Sequence, residues 1–350
     1  MAKGSNYTSE RAFFTDSVSG LRVTRLSHYA CISTNLYFEM TSFTEDDAHV
    51  VFISQRGAGR DAPWDLFRVQ TDGMALVQMT ERDDLRGIVV CPAIGKVLFQ
   101  SEGALFGMDM LSLEEESIAE IPGVVCRTHG YSLATIDRAG TTYFGNCLDP
   151  KGGEVIFKVD TASGGVDPLL HAEAVNHLHV DPECKTLHFN MLNGYEGRAY
   201  LMDTDGGRVR QSGFERFAHH TWFGTTGKMQ GTLLPPGKAL AIRGERDPEP
   251  EILVEGRYYW HSSCSADAEW IVSDTNWPQE GLFLLHVPTG RVTYVCDPRS
   301  SCCHPQWTHP HPSLSPGLRY VSFNSDLTGV GQVYLVELTD EFLAAARQPR

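Results

Sequence analysis

The sequence predicts an all-β protein built as a seven-bladed β-propeller. Three observations predict this fold: helical periodicity is nearly absent, short aliphatic runs alternate with turn residues, and the pattern recurs about every 45 residues. The 350-residue chain has 41% hydrophobic residues, which is enough for a buried core. The sequence predicts one helix, Asp340–Ala346, within a C-terminal tail over residues 340–350.

Each repeat contains a polar turn with Asp, Gly or Pro, an aliphatic run, a variable loop, a second aliphatic run and a turn similar to Thr-X-Gly. The copies begin near residues 43, 90, 133, 179, 223, 264 and 314. A unit of this length fits one four-stranded propeller blade, whereas the strands of a two-domain β-sandwich need no regular repeat. We therefore expect a single propeller domain over residues 1–350, with the ring closed by an N-terminal strand from residues 12–26.

Charge and cysteine content restrict the partners and the compartment. With 29 Lys+Arg against 44 Asp+Glu, the net charge of −15 repels phosphate backbones and anionic membrane surfaces. We therefore expect neither nucleic acid nor a membrane as a partner. The N-terminus has no apolar run of signal-peptide length, and the nine cysteines are scattered, so we expect reduced thiols and a cytoplasmic location.

Histidines recur where successive repeats begin. The first strand of each blade lines the central channel of a propeller, so the residues at these positions are expected to converge. One such histidine alone is usually a hydrogen-bonded turn residue, but the recurrence favours a shared site. Seven of the 14 histidines lie at the start of four consecutive repeats, namely His177, His179, His219, His220, His261, His309 and His311.

The segment around His309 and His311 predicts a metal site. On an extended strand, residues two apart face the same side, so both imidazoles could contact one ion while Pro310 stiffens the backbone. Gln306 lies just before this strand, and His261 would arrive from the preceding blade. Three imidazoles and an amide oxygen suit Mn, Fe, Ni or Zn, and they leave positions open for water or substrate, as catalytic sites do.

Four segments carry a resemblance to a known family. They are residues 16–26 (DSVSGLRVTRL), 63–64 (PW), 308–313 (THPHPS) and 325–326 (SD). These segments are similar to those of the oligogalacturonate lyases, seven-bladed propellers that cleave uronic-acid oligosaccharides by β-elimination. The resemblance is strongest in the last blade.

The resemblance implies a metal-dependent carbon–oxygen lyase. Its substrate would be an acidic oligosaccharide, and its product a 4,5-unsaturated uronate. The metal, with Mn favoured, would be held at the positions that match the family's ligands. These are His261, Gln306, His309 and His311.

The resemblance also implies catalytic residues. His220, which precedes an aromatic stretch at residues 221–223, matches the general base. Arg198 matches an arginine beside the substrate, where its planar guanidinium would pair with a carboxylate. Trp222 is a candidate to stack on a sugar ring. The leaving oxygen needs a proton, for which Tyr195 and a water at the metal are both candidates.

Two departures from the family leave the substrate open. The loops between Asn146 and Glu154 and between Asp274 and Gly281 are shorter than in the family, so the cleft would accept a different saccharide. His129 matches a histidine that the similar ulvan lyases use, which makes it a further catalytic candidate and ulvan fragments an alternative substrate. A non-enzymatic propeller scaffold is the alternative from another class, but a scaffold has no use for convergent imidazoles.

Overall fold

The computed structural model describes residues 2–56, 62–125, 133–193, 196–214, 216–303 and 306–349. In these ranges 30 strands form seven antiparallel sheets of four or five strands, which confirms the predicted all-β seven-bladed propeller. Helix α1 (Asp340–Ala346) lies where the sequence predicts it. Within the same ranges, no helix has the length and apolar character needed to cross a membrane.

The strands are numbered along the chain. The first seven are β1 (Asn6–Tyr7), β2 (Ala12–Thr15), β3 (Arg22–Arg25), β4 (Ser33–Asn35), β5 (His49–Ser54), β6 (Asp65–Gln70) and β7 (Leu76–Gln78). The next twelve are β8 (Arg86–Cys91), β9 (Lys96–Ser101), β10 (Ala104–Asp109), β11 (Glu115–Glu120), β12 (Ala134–Ile136), β13 (Thr142–Leu148), β14 (Glu154–Asp160), β15 (Val166–Ala172), β16 (Val175–Val180), β17 (Thr186–Asn193), β18 (Glu196–Asp203) and β19 (Arg210–Gln211). The last eleven are β20 (Phe217–Trp222), β21 (Met229–Leu233), β22 (Ala239–Arg243), β23 (Glu251–Glu255), β24 (Tyr259–Cys264), β25 (Trp270–Thr275), β26 (Leu282–His286), β27 (Arg291–Cys296), β28 (Ser313–Leu314), β29 (Tyr320–Ser325) and β30 (Gln332–Glu337).

One compact unit comprises residues 1–81 and 216–350 and holds four sheets. Their strand orders are β1-β7-β6-β5-β4, β20-β21-β22-β23, β24-β25-β26-β27 and β2-β3-β30-β29-β28. In the last sheet, Val23 of β3 pairs with Val336 of β30, so the N-terminal hairpin completes the final blade as predicted. Apolar side chains such as Trp270, Val272 and Tyr334 are buried together between blades and form a core of this unit.

The second compact unit comprises residues 82–215 and holds three sheets. Their strand orders are β11-β10-β9-β8, β12-β13-β14-β15 and β16-β17-β18-β19. Alternating residues of these strands, such as Leu98, Leu105, Tyr143 and Phe157, are buried in a common apolar cluster. The burial pattern is the one expected for sheets stacked face to face.

A β-bulge interrupts the first strand of four blades. The strand register shifts between Arg86 and Val89 in β8, between Asn176 and His179 in β16, between Ala218 and Thr221 in β20, and between Tyr259 and Ser262 in β24. His177 and His219, inside two of these bulges, adopt left-handed backbone conformations with φ of 54° and 53°. Bulges re-aim side chains and are common next to functional sites, and positive φ is unusual for residues other than glycine.

Asp16 fastens the N-terminal hairpin to the neighbouring blade. Its carboxylate accepts hydrogen bonds from the amides of Val18 (3.0 Å), Ser19 (2.8 Å) and Asp297 (3.1 Å), and from the hydroxyl of Tyr294 (3.4 Å). Burial acts to raise the pKa of Asp16, but the hydrogen bonds from these amides outweigh it and leave the pKa below its ordinary value. The ionised form therefore stabilises the attachment of this hairpin to the neighbouring blade.

Replacing Asp16 with asparagine should lower the free energy of unfolding at pH 7 by about 2 kcal/mol, because the variant loses charge-assisted hydrogen bonds. A depressed pKa gives stability that is present above the unfolded-state value and is lost as the pH falls through the folded-state value. Urea unfolding of both proteins at pH 7 and pH 3 measures this difference. The gap should shrink at pH 3, and equal stability at pH 7 would contradict the assignment.

Candidate metal centre

Three imidazoles meet in the unit formed by residues 1–81 and 216–350. The potential ligand atoms of His261, His309 and His311 all lie within 4.8 Å of one another. The ring centroids of His261 and His311 are 4.3 Å apart, and that of His309 is 5.5 Å from His261. His261 and His311 are buried, whereas His309 is partly exposed. The structure thus brings together three of the four predicted ligands, with access on the side of His309.

The backbone that carries His309 and His311 differs from the prediction. The sequence predicts an extended strand, but Gln306–Thr308 forms a 3-10 turn and β28 begins only at Ser313. Pro310 has no amide hydrogen for a strand ladder, and His311 has a left-handed φ of 45°. The extended-strand prediction is therefore wrong, and an irregular loop orients both imidazoles.

Two buried asparagines hold this loop. The amide of Asn324 donates to the carbonyl of Pro310 (2.8 Å), and its side-chain Nδ2 donates to the carbonyl of His309 (3.3 Å). Asn35 donates from Nδ2 to the carbonyl of His311 (2.8 Å), and its own amide donates to Oδ1 of Asn324 (2.8 Å). Since β4 and β29 both contribute, the loop is fixed by rigid strands on two sides. Neither asparagine belongs to a sequence motif that predicts this role.

Gln306, the fourth predicted ligand, begins the 3-10 turn that precedes His309. Its main-chain carbonyl accepts from the amide of His309 (2.9 Å), so the 3-10 turn links the two residues. Its side-chain Oε1 is buried and accepts no hydrogen bond from any described residue. A buried acceptor in this state is costly, and a cation would satisfy it. If this oxygen joins the three imidazoles, the donor set suits a divalent metal of borderline character.

Asp274 orients His261. Its Oδ2 lies 2.8 Å from Nδ1 of His261, and its Oδ1 accepts from the amide of His261 (2.7 Å). Burial raises the pKa of Asp274 to about 7, while hydrogen bonding from the His261 amide and the nearby His309 act in the opposite direction. A carboxylate at Nδ1 directs Nε2 toward the ligand cluster, and metal-binding histidines commonly have such a partner.

The role of Asp274 is not among the predictions made from the sequence. The signal that could have found it is the β24–β25 hairpin, in which Asp274 follows Ser273, the partner of Ser262. His261 precedes Ser262, so the two side chains face each other across the hairpin. The bulge at this point shifts the strand register, so pairing the two strands residue by residue from the sequence would not place Asp274 opposite His261.

Buried aromatic rings surround the imidazoles. The ring centroid of Tyr37 lies 4.7 Å from that of His311, and the centroid of Phe38 lies 5.2 Å from that of His261. Both aromatic residues are at most 5% exposed. An apolar shell of this kind excludes water and strengthens electrostatic interactions at a metal site.

His219 and His220 occupy the bulge of β20. The ring of His219 lies 4.4 Å from that of His261 and 4.2 Å from that of Trp260. The ring of His220, the predicted base, lies 6.1 Å from that of Phe217, and the residue is 8% exposed. His219, which the sequence predicts only as a member of the convergent histidine set, therefore borders the cluster.

The structure describes two of the other four predicted site residues. Trp222 is the last residue of β20, pairs with Met229 and is half-buried. Arg198 lies on β18 opposite Met191 and is exposed. His129 and Tyr195 lie outside the described residues. Their predicted roles stay predictions.

The chain was compared with protein families, curated proteins and solved structures. No family model matches the chain. Over 395 aligned positions it is 21% identical to the oligogalacturonate lyase of Dickeya dadantii (strain 3937), covering 97% of this chain and 99% of the relative. The crystal structure of oligogalacturonate lyase from Vibrio parahaemolyticus matches with a TM-score of 0.78 and 20% identity, covering 97% of this chain and 100% of that one.

A second solved structure, an oligogalacturonate lyase in complex with manganese, matches with a TM-score of 0.80. It is 20% identical and covers 98% of this chain and 100% of its own. At this level of identity the structural matches support the fold. Together, the sequence and structure comparisons confirm the predicted resemblance of this chain to the oligogalacturonate lyases.

Proposed function

We propose that this protein is a divalent-metal-dependent lyase that cleaves 4-linked uronide oligosaccharides by β-elimination, with oligogalacturonate as the favoured substrate. The observation that carries the proposal is the convergence of His261, His309 and His311, with Asp274 behind His261. The relatives named oligogalacturonate lyase support the substrate class.

We propose His261, His309, His311 and Gln306 as the residues that hold the metal. When bound there, a divalent cation would supply Lewis-acid chemistry by neutralising the carboxylate of the uronate. Manganese is favoured because a similar lyase was solved with it, and the donor set also suits Zn, Fe or Ni.

The proposed reaction uses the chain's own side chains for binding and proton transfer. A neutral imidazole of His220 takes the C5 proton, the C5–H electrons form the C4=C5 double bond, and the C4–O bond breaks. The leaving oxygen takes a proton from Tyr195 or from water. Arg198 pairs with a substrate carboxylate through its guanidinium, and Trp222 contacts a sugar face.

We also propose a cytoplasmic location, with neither nucleic acid nor a membrane as a partner. The support comes from the cysteines and the charge. The nine cysteines are an odd count scattered along the chain, which suits reduced thiols in a reducing compartment better than a disulfide framework. The net charge of −15 disfavours anionic surfaces.

A direct lyase assay tests the proposal. Purified protein is incubated with digalacturonate, trigalacturonate and ulvan fragments, with added Mn²⁺ or with a chelator. The conjugated 4,5-unsaturated product absorbs in the near ultraviolet, so its formation can be followed continuously. We expect product from a galacturonate oligomer with Mn²⁺ and none with the chelator. If no uronide gives product under any condition, the enzyme proposal is wrong.

A further inference from the structure

We propose that Trp277, Trp260 and Tyr258 form an aromatic platform that binds a pyranose ring of the substrate beyond the sugar held at the metal centre. This inference rests on the proposed function and adds a binding subsite to it. The platform would select an oligosaccharide over a single sugar, because it binds a second ring at a fixed place.

The three rings pack as one group. The centroids of Tyr258 and Trp260 are 4.9 Å apart with planes inclined by 30°, and those of Tyr258 and Trp277 are 5.7 Å apart with planes inclined by 31°. The centroids of Trp260 and Trp277 are 5.1 Å apart. Trp277 is 67% exposed, while Tyr258 beneath it is buried. One broad indole face is therefore presented to solvent on a supporting aromatic layer.

The platform is continuous with the candidate metal centre. The ring of Trp260 lies 4.2 Å from that of His219 and 5.9 Å from that of His261. One indole ring therefore separates the exposed Trp277 from the imidazole of a proposed ligand. A sugar on Trp277 and a uronate at the metal would belong to one short oligosaccharide.

The loop that carries Trp277 is held in place before any ligand arrives. The amide of Trp277 donates to Oδ1 of Asn276 (3.0 Å), and the amide of Asn276 donates to the carbonyl of Tyr258 (3.0 Å). On the other side, the amide of Glu280 donates to the hydroxyl of buried Thr275 (2.7 Å). A fixed indole loses little conformational entropy on binding.

The backbone of Trp277 adds a second indication. Its φ is 47°, a left-handed conformation that is unfavourable for a large side chain. Strained residues of this kind are concentrated at ligand sites. Trp277 is the most exposed of the described tryptophans, and it also has this unusual backbone conformation.

A sugar ring is the occupant that this chemistry fits. One face of a pyranose presents C–H groups that can cover an indole, while its hydroxyl groups stay in water. The nearby cation, Arg257, is already engaged by Glu280 (2.8 Å) and by the ring of Phe283 (4.5 Å). The subsite should therefore recognise the ring face of the sugar and depend little on charge.

Replacing Trp277 with alanine tests the platform. We expect KM for trigalacturonate to rise about tenfold, since loss of a stacked aromatic ring typically costs this much affinity, with kcat within about twofold of wild type. Trp277→Phe should recover most of the affinity. Phe13→Ala, which removes an exposed aromatic ring from β2, is the matched control and should leave KM unchanged. Retained Mn²⁺ binding in each variant verifies folding.

A binding titration separates this inference from the proposed function. Calorimetry with trigalacturonate and chelator-treated protein reports affinity without turnover. Weaker binding by Trp277→Ala than by wild type and by Phe13→Ala supports the platform even if no uronide is cleaved. Equal affinities of wild type and Trp277→Ala would overturn it, even if the lyase assay succeeds.

Discussion

Replacing His311 with alanine should abolish Mn²⁺ binding at the candidate centre and reduce lyase turnover by about a thousandfold or more. The residue is 1% exposed and its ring centroid lies 4.3 Å from that of His261, so neither water nor another side chain replaces its imidazole easily. Loss of several kcal/mol of Lewis-acid stabilisation corresponds to a factor of this size. Metal content after dialysis against Mn²⁺ and product absorbance measure the two effects.

The alanine variant should keep its fold, because Asn35 binds the main-chain carbonyl of His311 and does not depend on the side chain. His28→Ala removes an exposed imidazole and serves as the matched control, with full metal content and turnover expected. A His311→Ala protein that retains both metal and activity would exclude His311 as a ligand.

Replacing His220 with alanine should reduce turnover by about 10²–10⁴-fold while metal content stays at the wild-type level. The size of the effect is that of a lost general base, and the residue is not one of the proposed ligands. Single-turnover rates with trigalacturonate, measured at saturating Mn²⁺, report the chemical step.

The variant His219→Ala tests whether His220, and not its neighbour His219, is the general base. Its ring borders His261 and Trp260, and it shares the β20 bulge with His220. We expect His219→Ala to lose less turnover than His220→Ala. The reverse order, with a large loss in His219→Ala and little change in His220→Ala, would show that His219 is the base and that the assignment of His220 is wrong.

The fold could be predicted because it depends on a local pattern that recurs. Each blade needs turn residues and alternating apolar strands within about 45 residues. This pattern can be recognised in the sequence without knowing which distant residues are in contact. The closing hairpin and helix α1 were also predictable, because local sequence signals mark each of them. Val23 lies on a short strand, Arg22–Arg25, that precedes the first full repeat and pairs with β30.

The details of the site could not be predicted, because they depend on contacts between elements far apart in sequence. Asn35 and Asn324 are separated by 289 residues and act on one loop. Asp274 faces His261 across a bulge, which breaks the simple two-residue alternation of a strand. The left-handed His311 also follows from tertiary constraints, since its sequence neighbours favour an extended chain.

The proposed function requires His261, His309, His311 and Gln306 to bind one divalent cation. Anomalous diffraction from crystals grown with Mn²⁺ shows whether they do. We predict one manganese peak bonded to Nε2 of His261, to the imidazoles of His309 and His311, and to Oε1 of Gln306. A structure with Mn²⁺ at saturation that shows no peak among these residues, or a peak bonded only to other side chains, would contradict the claim.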